Sequence, residues 1–352
     1  MTAASISIAG REIGPGARPY IIAEMSGNHN NSLDRAMEIV TSAAENGADA
    51  VKLQTYTADT MTLDYDGPGF VIEDEKSLWA GRQLYDLYDE AHTPWDWHGP
   101  LMEHARSLGI HCFSSPFDAS AVDFLETLNV PAYKIASFEM TDLPLIRKVA
   151  RTGKPMIIST GMATLEEIGE AIAAAKEEGN DQLVVLKCTS TYPATPDNTN
   201  IRTIPNLAEA TGCLIGLSDH TMGVGVPAAA VTLGAVLVEK HFTLARADGG
   251  VDSAFSLEPA ELQSLRDETE RAWQSLGKVS YGGSKAEEAS KAFRRSLYIA
   301  QDMKAGDTLT EENLRAIRPG YGMPPKFFDL LIGKRVNRDV TRGTPMQWDL
   351  LG

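Results

Sequence analysis

Eight short apolar runs rich in β-branched residues recur along about the first 280 residues of this chain, and a helix-like segment follows each of them. The runs lie at residues 20–24, 50–54, 110–114, 132–136, 156–159, 183–187, 214–218 and 236–241. Amphipathic segments lie at residues such as 32–46, 93–108, 165–178 and 259–276, and Gly47, Gly109 and Gly179 stand near three of their C-terminal ends. Eight alternating units suit a closed parallel (β/α)₈ barrel of the TIM type better than an open doubly wound sheet, and no dinucleotide-binding glycine fingerprint follows the first run. The alternation therefore predicts an α/β fold built on a TIM barrel.

A change of composition near residue 280 divides the chain into two units. Residues 280–293 are small, polar and nearly free of core-forming side chains, as in a linker. Residues 294–352 carry 10 Lys and Arg against 7 Asp and Glu, or +3, whereas residues 1–293 carry 22 against 41, or −19. We predict a barrel domain over residues 1–279, a linker over 280–293 and a small domain of short strands and turns over 294–352. Because so small a core is marginal alone, we expect that domain to lean on the barrel or on another subunit.

The net charge of −16 restricts the partners of the chain. An acidic surface repels nucleic acid and anionic lipids, so any phosphate-bearing ligand has to be small and held by a local group of basic side chains. The three cysteines, Cys112, Cys188 and Cys213, are too few and scattered for a disulfide framework. Residues 1–10 lack a signal-peptide pattern, and the longest apolar run, residues 226–238, is too short to span a membrane. We predict a cytoplasmic protein with no nucleic-acid or membrane partner.

Polar or ionisable residues stand at the end of nearly every predicted strand, where the catalytic groups of TIM barrels lie. They are Glu24, Lys52, Gln54, Ser114, Ser115, Lys134, Ser137, Ser159, Thr160, residues 187–192, Ser218, Asp219, His220, Glu239 and His241. Because side chains alternate between the two faces of a strand, Lys52 and Gln54 share a face, and so do Glu239 and His241. Packing alone does not produce this pattern, which predicts a functional site at that end of the barrel.

Two lysines among these residues indicate an anion-binding site. Burying a lysine inside a barrel is costly unless it meets a negative charge, and hydroxyl groups nearby would supply neutral donors. The predicted site for a phosphate or carboxylate consists of Lys52, Lys134, Ser115, Ser137, Ser159 and Ser218. The alternative is an internal ion pair between a lysine and Glu24 or Glu239. We favour the anion site because several donors converge.

Two histidines, His220 and His241, end consecutive predicted strands and are expected to be neighbours at the barrel mouth. Two neutral imidazoles beside a carboxylate form an open divalent metal site that leaves positions for substrate and water. A hydrogen-bonded structural role or a general-base role is the alternative for either residue. Their adjacency favours the metal site.

The segment of residues 55–94 is long for a loop between a barrel strand and its helix. Its aromatic residues are Tyr56, Tyr65, Phe70, Trp79, Tyr85 and Tyr88. A loop of this length on a compact scaffold is typical of a binding loop or lid. The alternative is that its aromatic side chains only pack the loop onto the barrel or onto a partner subunit, and the pattern does not separate the two.

Several motifs, taken in order, resemble the sialic acid synthase family over essentially the whole chain. They are residues 22–30 (IAEMSGNHN), 52–56 (KLQTY), 133–137 (YKIAS), 159–162 (STGM), 216–221 (GLSDHT), 239–243 (EKHFT) and 318–320 (RPG). Residues 294–352 are similar to the antifreeze-like (SAF) domain of that family. Residues 26–31, 54–64 and 77–81 resemble the branch that uses 2,4-diacetamido-2,4,6-trideoxy-L-altrose, and Asn30 stands where the N-acetylneuraminate branch tends to have Glu.

The resemblance implies a reaction and a set of site residues. The family condenses phosphoenolpyruvate with the open-chain aldehyde of an N-acetylated amino sugar and releases phosphate. The implied contacts to phosphoenolpyruvate are Lys52, Ser115, Lys134, Ser137, Ser159, Ser190 and Ser218, and at 190 the family often has Asn. The implied contacts to the sugar are Gln54, Tyr192, Asp252, Phe293 and Arg318. Glu24 is the implied catalytic carboxylate, and His220 and His241 are the implied ligands of a catalytic Mn²⁺ or Mg²⁺.

The resemblance also implies a domain-swapped homodimer in which Arg318 acts on the barrel of the partner subunit. Three other functions remain open at this stage. One is synthesis of legionaminic or N-acetylneuraminic acid by the same chemistry. The others are a metal-dependent barrel aldolase or isomerase that uses no phosphoenolpyruvate, and a non-enzymatic binding protein. Filled strand ends on an acidic barrel count against the last of these.

Overall fold

A computed structural model describes residues 5–75 and 77–352 of the chain. It divides into two compact units, Met1–Gly277 and Lys278–Gly352. The strands of the first unit are β1 (Ile6–Ile8), β2 (Arg11–Ile13), β3 (Tyr20–Glu24), β4 (Ala50–Thr55), β5 (His111–Pro116), β6 (Tyr133–Ile135), β7 (Met156–Ser159), β8 (Leu183–Cys188), β9 (Leu214–Asp219) and β10 (Leu237–His241). Its helices are α1 (Leu33–Glu45), α2 (Ala58–Met61), α3 (Leu84–Ala91), α4 (Trp95–Ser107), α5 (Ala119–Thr127), α6 (Leu143–Ala150), α7 (Leu165–Glu177), α8 (Thr203–Thr211), α9 (Gly225–Thr232) and α10 (Pro259–Ser275).

Strands β3 to β10 form a closed barrel of eight strands in sequential order, with β10 pairing β3 to complete the ring. Every neighbouring pair in the barrel is parallel. The predicted TIM barrel is therefore confirmed, and each predicted strand overlaps an observed one. Strands β1 and β2 form a separate antiparallel hairpin. The sequence analysis missed this hairpin because each strand is only three residues long.

The barrel strands are buried along their length, because helices cover their outer faces and side chains fill the interior. All five residues of β3 and all six of β9 are buried. These strands therefore read as continuous apolar runs, and polar side chains accumulate at their C-terminal ends.

The helices begin at side chains that satisfy free backbone N–H groups. The Ser32 hydroxyl accepts a hydrogen bond from the N–H of Arg35 at the start of α1. Thr164 and Glu167 form a reciprocal capping box at the start of α7. Helix α1 then buries an apolar stripe that includes Ile39 and Val40, and each such side chain contributes about 1.5–3 kcal/mol when fully buried.

The second unit contains one antiparallel pair, β11 (Ser296–Ile299) with β12 (Leu314–Ile317), and the short helix α11 (Phe328–Leu331). Its small core includes Leu297, Leu314 and Met346. The residues of the predicted linker, 280–293, belong to this unit and contain two short 3₁₀ helices. In the part of the chain that the structure describes, no helix is both long enough and apolar enough to cross a membrane.

Candidate active site

The strand register brings the predicted site residues to the C-terminal end of the barrel. Glu24, the last residue of β3, lies beside His241 on one neighbouring strand and beside Lys52 on the other. On the next pair of strands, Gln54 stands opposite Ser115. The predicted residues of the first unit thus share one barrel mouth, because parallel strands of similar length end at the same side.

A cluster of buried charges occupies this mouth. The Lys52 ammonium pairs with Glu24 and lies 3.1 Å from Oε1 of Glu239, and the Lys134 ammonium lies 3.3 Å from the same oxygen. All four side chains are at most 6% exposed. Gln54 donates a hydrogen bond of 3.1 Å to Oε1 of Glu24. The two lysines therefore make the internal ion pairs that the sequence offered as the alternative to an anion.

The charges of this cluster control each other's ionisation. Burial alone would raise the pKa of Glu239, but the ammonium groups of Lys134 and Lys52 hold it below its ordinary value. Burial lowers the pKa of Lys52, and the charge of Glu239 opposes that effect. Glu239 is consequently ionised at neutral pH, and it holds two ammonium groups together that would otherwise repel each other.

The serine hydroxyls at the mouth have unused hydrogen-bonding capacity. Among the described residues, the buried Oγ atoms of Ser115 and Ser159 have no hydrogen-bond partner. Ser218 donates to Oε1 of Glu239 at 3.3 Å. Buried polar groups are normally satisfied, so two unpartnered hydroxyls at one barrel end are suited to bind a polar ligand.

Gly161 brings two more of the predicted serines together. Its backbone N–H donates to Ser137 Oγ at 3.1 Å. A Cβ atom at this position would lie 2.0 Å from Ser190 Oγ and 2.7 Å from Ser137 Oγ. The chain therefore needs glycine here for close approach, and the loops after β6, β7 and β8 converge at this point.

The two histidines are neighbours, with 5.4 Å between their ring centroids. Nδ1 of His220 lies 2.8 Å from the carbonyl oxygen of Thr189, so it carries the proton and the lone pair of the ring is on Nε2. The Cys188 thiol is hydrogen-bonded to the same imidazole. Nδ1 of His241 has no hydrogen-bond partner within the described residues and lies 3.7 Å from Asp252 Oδ2. The two imidazoles can therefore supply two donors to an open divalent metal site.

The described residues contain no group of three or more His, Cys, Asp or Glu side chains arranged to hold a metal ion. The protein would thus supply the two imidazoles, and substrate or water would supply the remaining donors, as an open catalytic site requires. Two imidazoles with open positions for oxygen donors fit a divalent transition metal such as Mn²⁺ better than Mg²⁺, which prefers oxygen ligands alone.

A separate buried ion pair fixes the strands that carry the histidines. Lys240 donates to Asp219 Oδ2 at 2.7 Å and to the carbonyl oxygen of Thr221, and both charged side chains are 1% exposed. Asp219 directly precedes His220, and Lys240 directly precedes His241. Because successive residues of a strand face opposite sides, this pair lies behind the histidines and links β9 to β10.

Aromatic rings form a wall beside the histidines. The Tyr192 ring lies 4.4 Å from that of His220 and 5.3 Å from that of Phe255, measured between centroids. Phe255 also lies 4.9 Å from His241. Asp252 is buried below this wall and accepts a hydrogen bond from Ser26. Tyr192 and Asp252, which the resemblance assigned to the sugar, therefore adjoin the predicted metal ligands.

The long loop of residues 55–94 packs on the barrel and also reaches the aromatic wall, whereas its role in binding stays a prediction. Tyr56 packs against Tyr88 and Phe117, at 5.9 and 5.1 Å between centroids, so part of the loop is held on the barrel. Trp79 instead reaches the aromatic wall, with its ring 6.0 Å from that of Tyr192. The loop is therefore packed on the barrel and also lines the site.

Sequence reasoning missed two residues of this region. Glu139 follows β6 in a short 3₁₀ helix, and its buried Oε2 has no hydrogen-bond partner in the described chain. Burial raises the pKa of Glu139 to about 7, although Lys134 lowers it. Ser26 follows β3 with a left-handed φ of +47° and holds Asp252. Both lie within five residues of a predicted site residue, and this proximity in the sequence could have indicated them.

Arg318 and Phe293 lie in the second unit. Arg318 is exposed, and Phe293 is 66% exposed, in the single chain. Their assignment to the sugar therefore remains a prediction.

These features define a TIM-barrel enzyme whose site lies at the barrel mouth. They are the closed barrel, the internal lysine cluster, the unpartnered hydroxyls and the histidine pair. Comparisons with known proteins identify its family. Residues 39–281 match the NeuB family and residues 294–352 match the SAF domain. The chain belongs to the NeuB family, as the motifs indicated.

Relatives and a solved structure resemble the chain over most of its length. It is 42% identical over 328 residues to pseudaminic acid synthase of Campylobacter jejuni subsp. jejuni serotype O:2, covering 93% of this chain and 95% of that one. It is 36% identical over 339 residues to N,N'-diacetyllegionaminic acid synthase of Legionella pneumophila, covering 94% of each. The crystal structure of N-acetylneuraminic acid synthetase from Leptospira borgpetersenii matches with a TM-score of 0.73 and 29% identity, over 82% of this chain and 95% of that one.

Proposed function

We propose that the chain is a pseudaminic acid synthase, which condenses phosphoenolpyruvate, 2,4-diacetamido-2,4,6-trideoxy-L-altrose and water to pseudaminic acid and phosphate. The observation that carries this proposal is the lysine cluster with its orphaned serines beside a histidine pair, in a chain 42% identical to a pseudaminic acid synthase. In the reaction, C3 of phosphoenolpyruvate bonds to the aldehyde carbon, and the aldehyde oxygen takes a proton. Water then adds at C2, and phosphate leaves to give the 2-keto acid.

Lys52 and Lys134 are the positively charged residues of the proposed phosphoenolpyruvate site. Their ammonium groups lie within 3.3 Å of one carboxylate oxygen, so an anion of similar size can meet both. Ser115, Ser159 and Ser218 supply neutral donors, and Ser137 and Ser190 flank Gly161 in the adjoining loops. The phosphate and carboxylate groups of one ligand can share these donors, because the donors lie on several neighbouring strands.

His220 and His241 would hold the divalent metal, Mn²⁺ or Mg²⁺, which when bound polarises the aldehyde oxygen of the sugar. The carbonyl of Thr189 fixes the proton of His220 on Nδ1, so Nε2 is the nitrogen that would bind the metal. Glu24 lies beside His241 and Lys52, where its carboxylate can orient the water that adds at C2 or accept its proton. Gln54 holds that carboxylate through its amide group.

The sugar lies against the aromatic wall in this proposal. Tyr192 and Asp252 adjoin the histidines, and Gln54 adjoins Glu24, so these three line the space next to the aldehyde. We also propose a cytoplasmic homodimer in which Arg318 and Phe293 of one chain complete the sugar site of the partner. The support for this dimer is the family resemblance and the opposite charge of the barrel and C-terminal segments.

A panel of sugars tests the substrate. With phosphoenolpyruvate and Mn²⁺ present, we expect rapid phosphate release with the diacetamido-trideoxy-altrose and release at least about tenfold slower with the legionaminic acid precursor or N-acetylmannosamine. Turnover with N-acetylmannosamine alone would replace the proposed substrate. Absence of phosphate release with every sugar would favour the aldolase or isomerase alternative.

Mixing two inactive variants tests the dimer. Arg318→Ala and Glu24→Ala chains are each expected to be nearly inactive, whereas exchanged subunits contain one intact site per mixed dimer and recover about a quarter of wild-type activity. The measurement is phosphate release after subunit exchange, which native mass spectrometry of differently tagged chains verifies. No recovery despite complete exchange would show that Arg318 acts within its own chain or not at all.

A further inference from the structure

Trp79 lies in a hairpin-like loop whose two arms are joined by backbone hydrogen bonds. Val71 and Gln83 form an isolated antiparallel bridge, and Ile72 exchanges backbone hydrogen bonds of 2.8 and 2.9 Å with Gly81 and Arg82. The backbone N–H of Trp79 donates to Ser77 Oγ at 3.2 Å. The ring therefore projects from an internally hydrogen-bonded turn.

Both the indole N–H and the aromatic ring of Trp79 contact residues of the site. Its indole N–H donates a hydrogen bond of 3.0 Å to the carbonyl oxygen of Val251, the residue before Asp252. Its ring lies 6.0 Å from that of Tyr192 between centroids, with the two planes tilted by 55°. The side chain is only half-buried, so part of it is accessible to a ligand.

The position of Trp79 decides which part of a sugar it can meet. The aldehyde carbon has to approach the histidines, and Tyr192 lies directly against His220. Trp79 contacts the Tyr192 ring and, among the described aromatic rings, is recorded against neither histidine. It is therefore placed for a substituent several carbons away from the aldehyde, and an aromatic face suits an apolar substituent.

We propose that Trp79 is a specificity-determining residue that contacts the apolar groups at the far end of the sugar, the 4-acetamido methyl and the C6 methyl. This inference rests on the proposed function. Hydroxyl groups at these two positions lose hydration against an aromatic face and gain no hydrogen bond, because the single indole donor is already used by Val251. Trp79 thus selects diacetamido-trideoxy sugars over N-acetylmannosamine, which carries hydroxyl groups at both positions.

Substitution of Trp79 tests this selection. We expect Trp79→Ala to raise KM for the diacetamido-trideoxy-altrose roughly tenfold or more at saturating phosphoenolpyruvate, since one lost apolar contact changes selectivity by at least that factor. KM for phosphoenolpyruvate at saturating sugar should change less than about twofold, because Trp79 lies on the aromatic wall and not at the lysines. Trp79→Phe should retain most of the wild-type KM for the sugar.

The matched control is Tyr65→Ala, which removes a half-exposed aromatic side chain from the same loop that packs only on Phe70 among the described aromatic rings. It should leave both KM values near those of wild type. An unchanged sugar KM in folded Trp79→Ala, or an equal rise in both KM values, would overturn the inference. The comparison is made on whichever sugar the panel identifies, so failure of the proposed substrate and failure of the Trp79 contact give different results.

Discussion

His220→Ala and His241→Ala variants are each expected to lose turnover by at least about a thousandfold while remaining folded. The physical reason is that the two neighbouring imidazoles are the proposed metal donors, and activation of the aldehyde by a metal would supply several kcal/mol of transition-state stabilisation. The measurements are phosphate release in buffer saturated with Mn²⁺ and Mn²⁺ binding by titration calorimetry. Both activity and Mn²⁺ affinity should fall together.

The matched control for this experiment is His104→Ala. His104 lies on α4 and bonds to Thr41 at 2.8 Å, away from the strand ends. That variant should keep its Mn²⁺ affinity and its turnover. Near wild-type turnover of either strand-end variant would refute the proposed ligation, and lost turnover with unchanged Mn²⁺ binding would assign the histidine a different role.

Lys134→Met is the second substitution for which we expect a large effect. It removes one of the two ammonium groups that phosphoenolpyruvate is proposed to meet, and we expect kcat/KM for phosphoenolpyruvate to fall by about a thousandfold or more. It also leaves Glu239 with one cationic partner, and breaking a buried pair costs roughly 3–5 kcal/mol of folding free energy. Steady-state kinetics and urea unfolding measure the two effects separately.

Lys148→Met is the control for the lysine experiment, because Lys148 forms a partly exposed pair with Asp123. Surface pairs contribute about 0–1 kcal/mol, so this variant should retain both stability and activity. If folded Lys134→Met kept the wild-type KM for phosphoenolpyruvate, the lysine would be a structural partner of Glu239 only. That result would support the internal ion pair over the anion site.

The barrel and the strand-end residues were predictable because parallel strands covered on both faces read as apolar runs with polar ends. Glu24, Lys52 and His241 stand at such ends, and the strand register then makes them neighbours. The sequence offered an ion pair of a lysine with Glu24 or Glu239 only as an alternative, and it could not show that both lysines share Glu239, since that depends on which inward side chains meet across the barrel. The positions of Glu139 and Trp79 were harder still to predict. Both residues lie in segments where no hydrophobic periodicity indicates the direction of a side chain.

Glu239 has a consequence for the end of the catalytic cycle. Its carboxylate binds both lysines, so the proposed anion would share or compete for their ammonium groups. The binding free energy of the anion would then be the difference between the free energies of two sets of ion pairs. In the proposed reaction the same competition would act on the product phosphate and would favour its release.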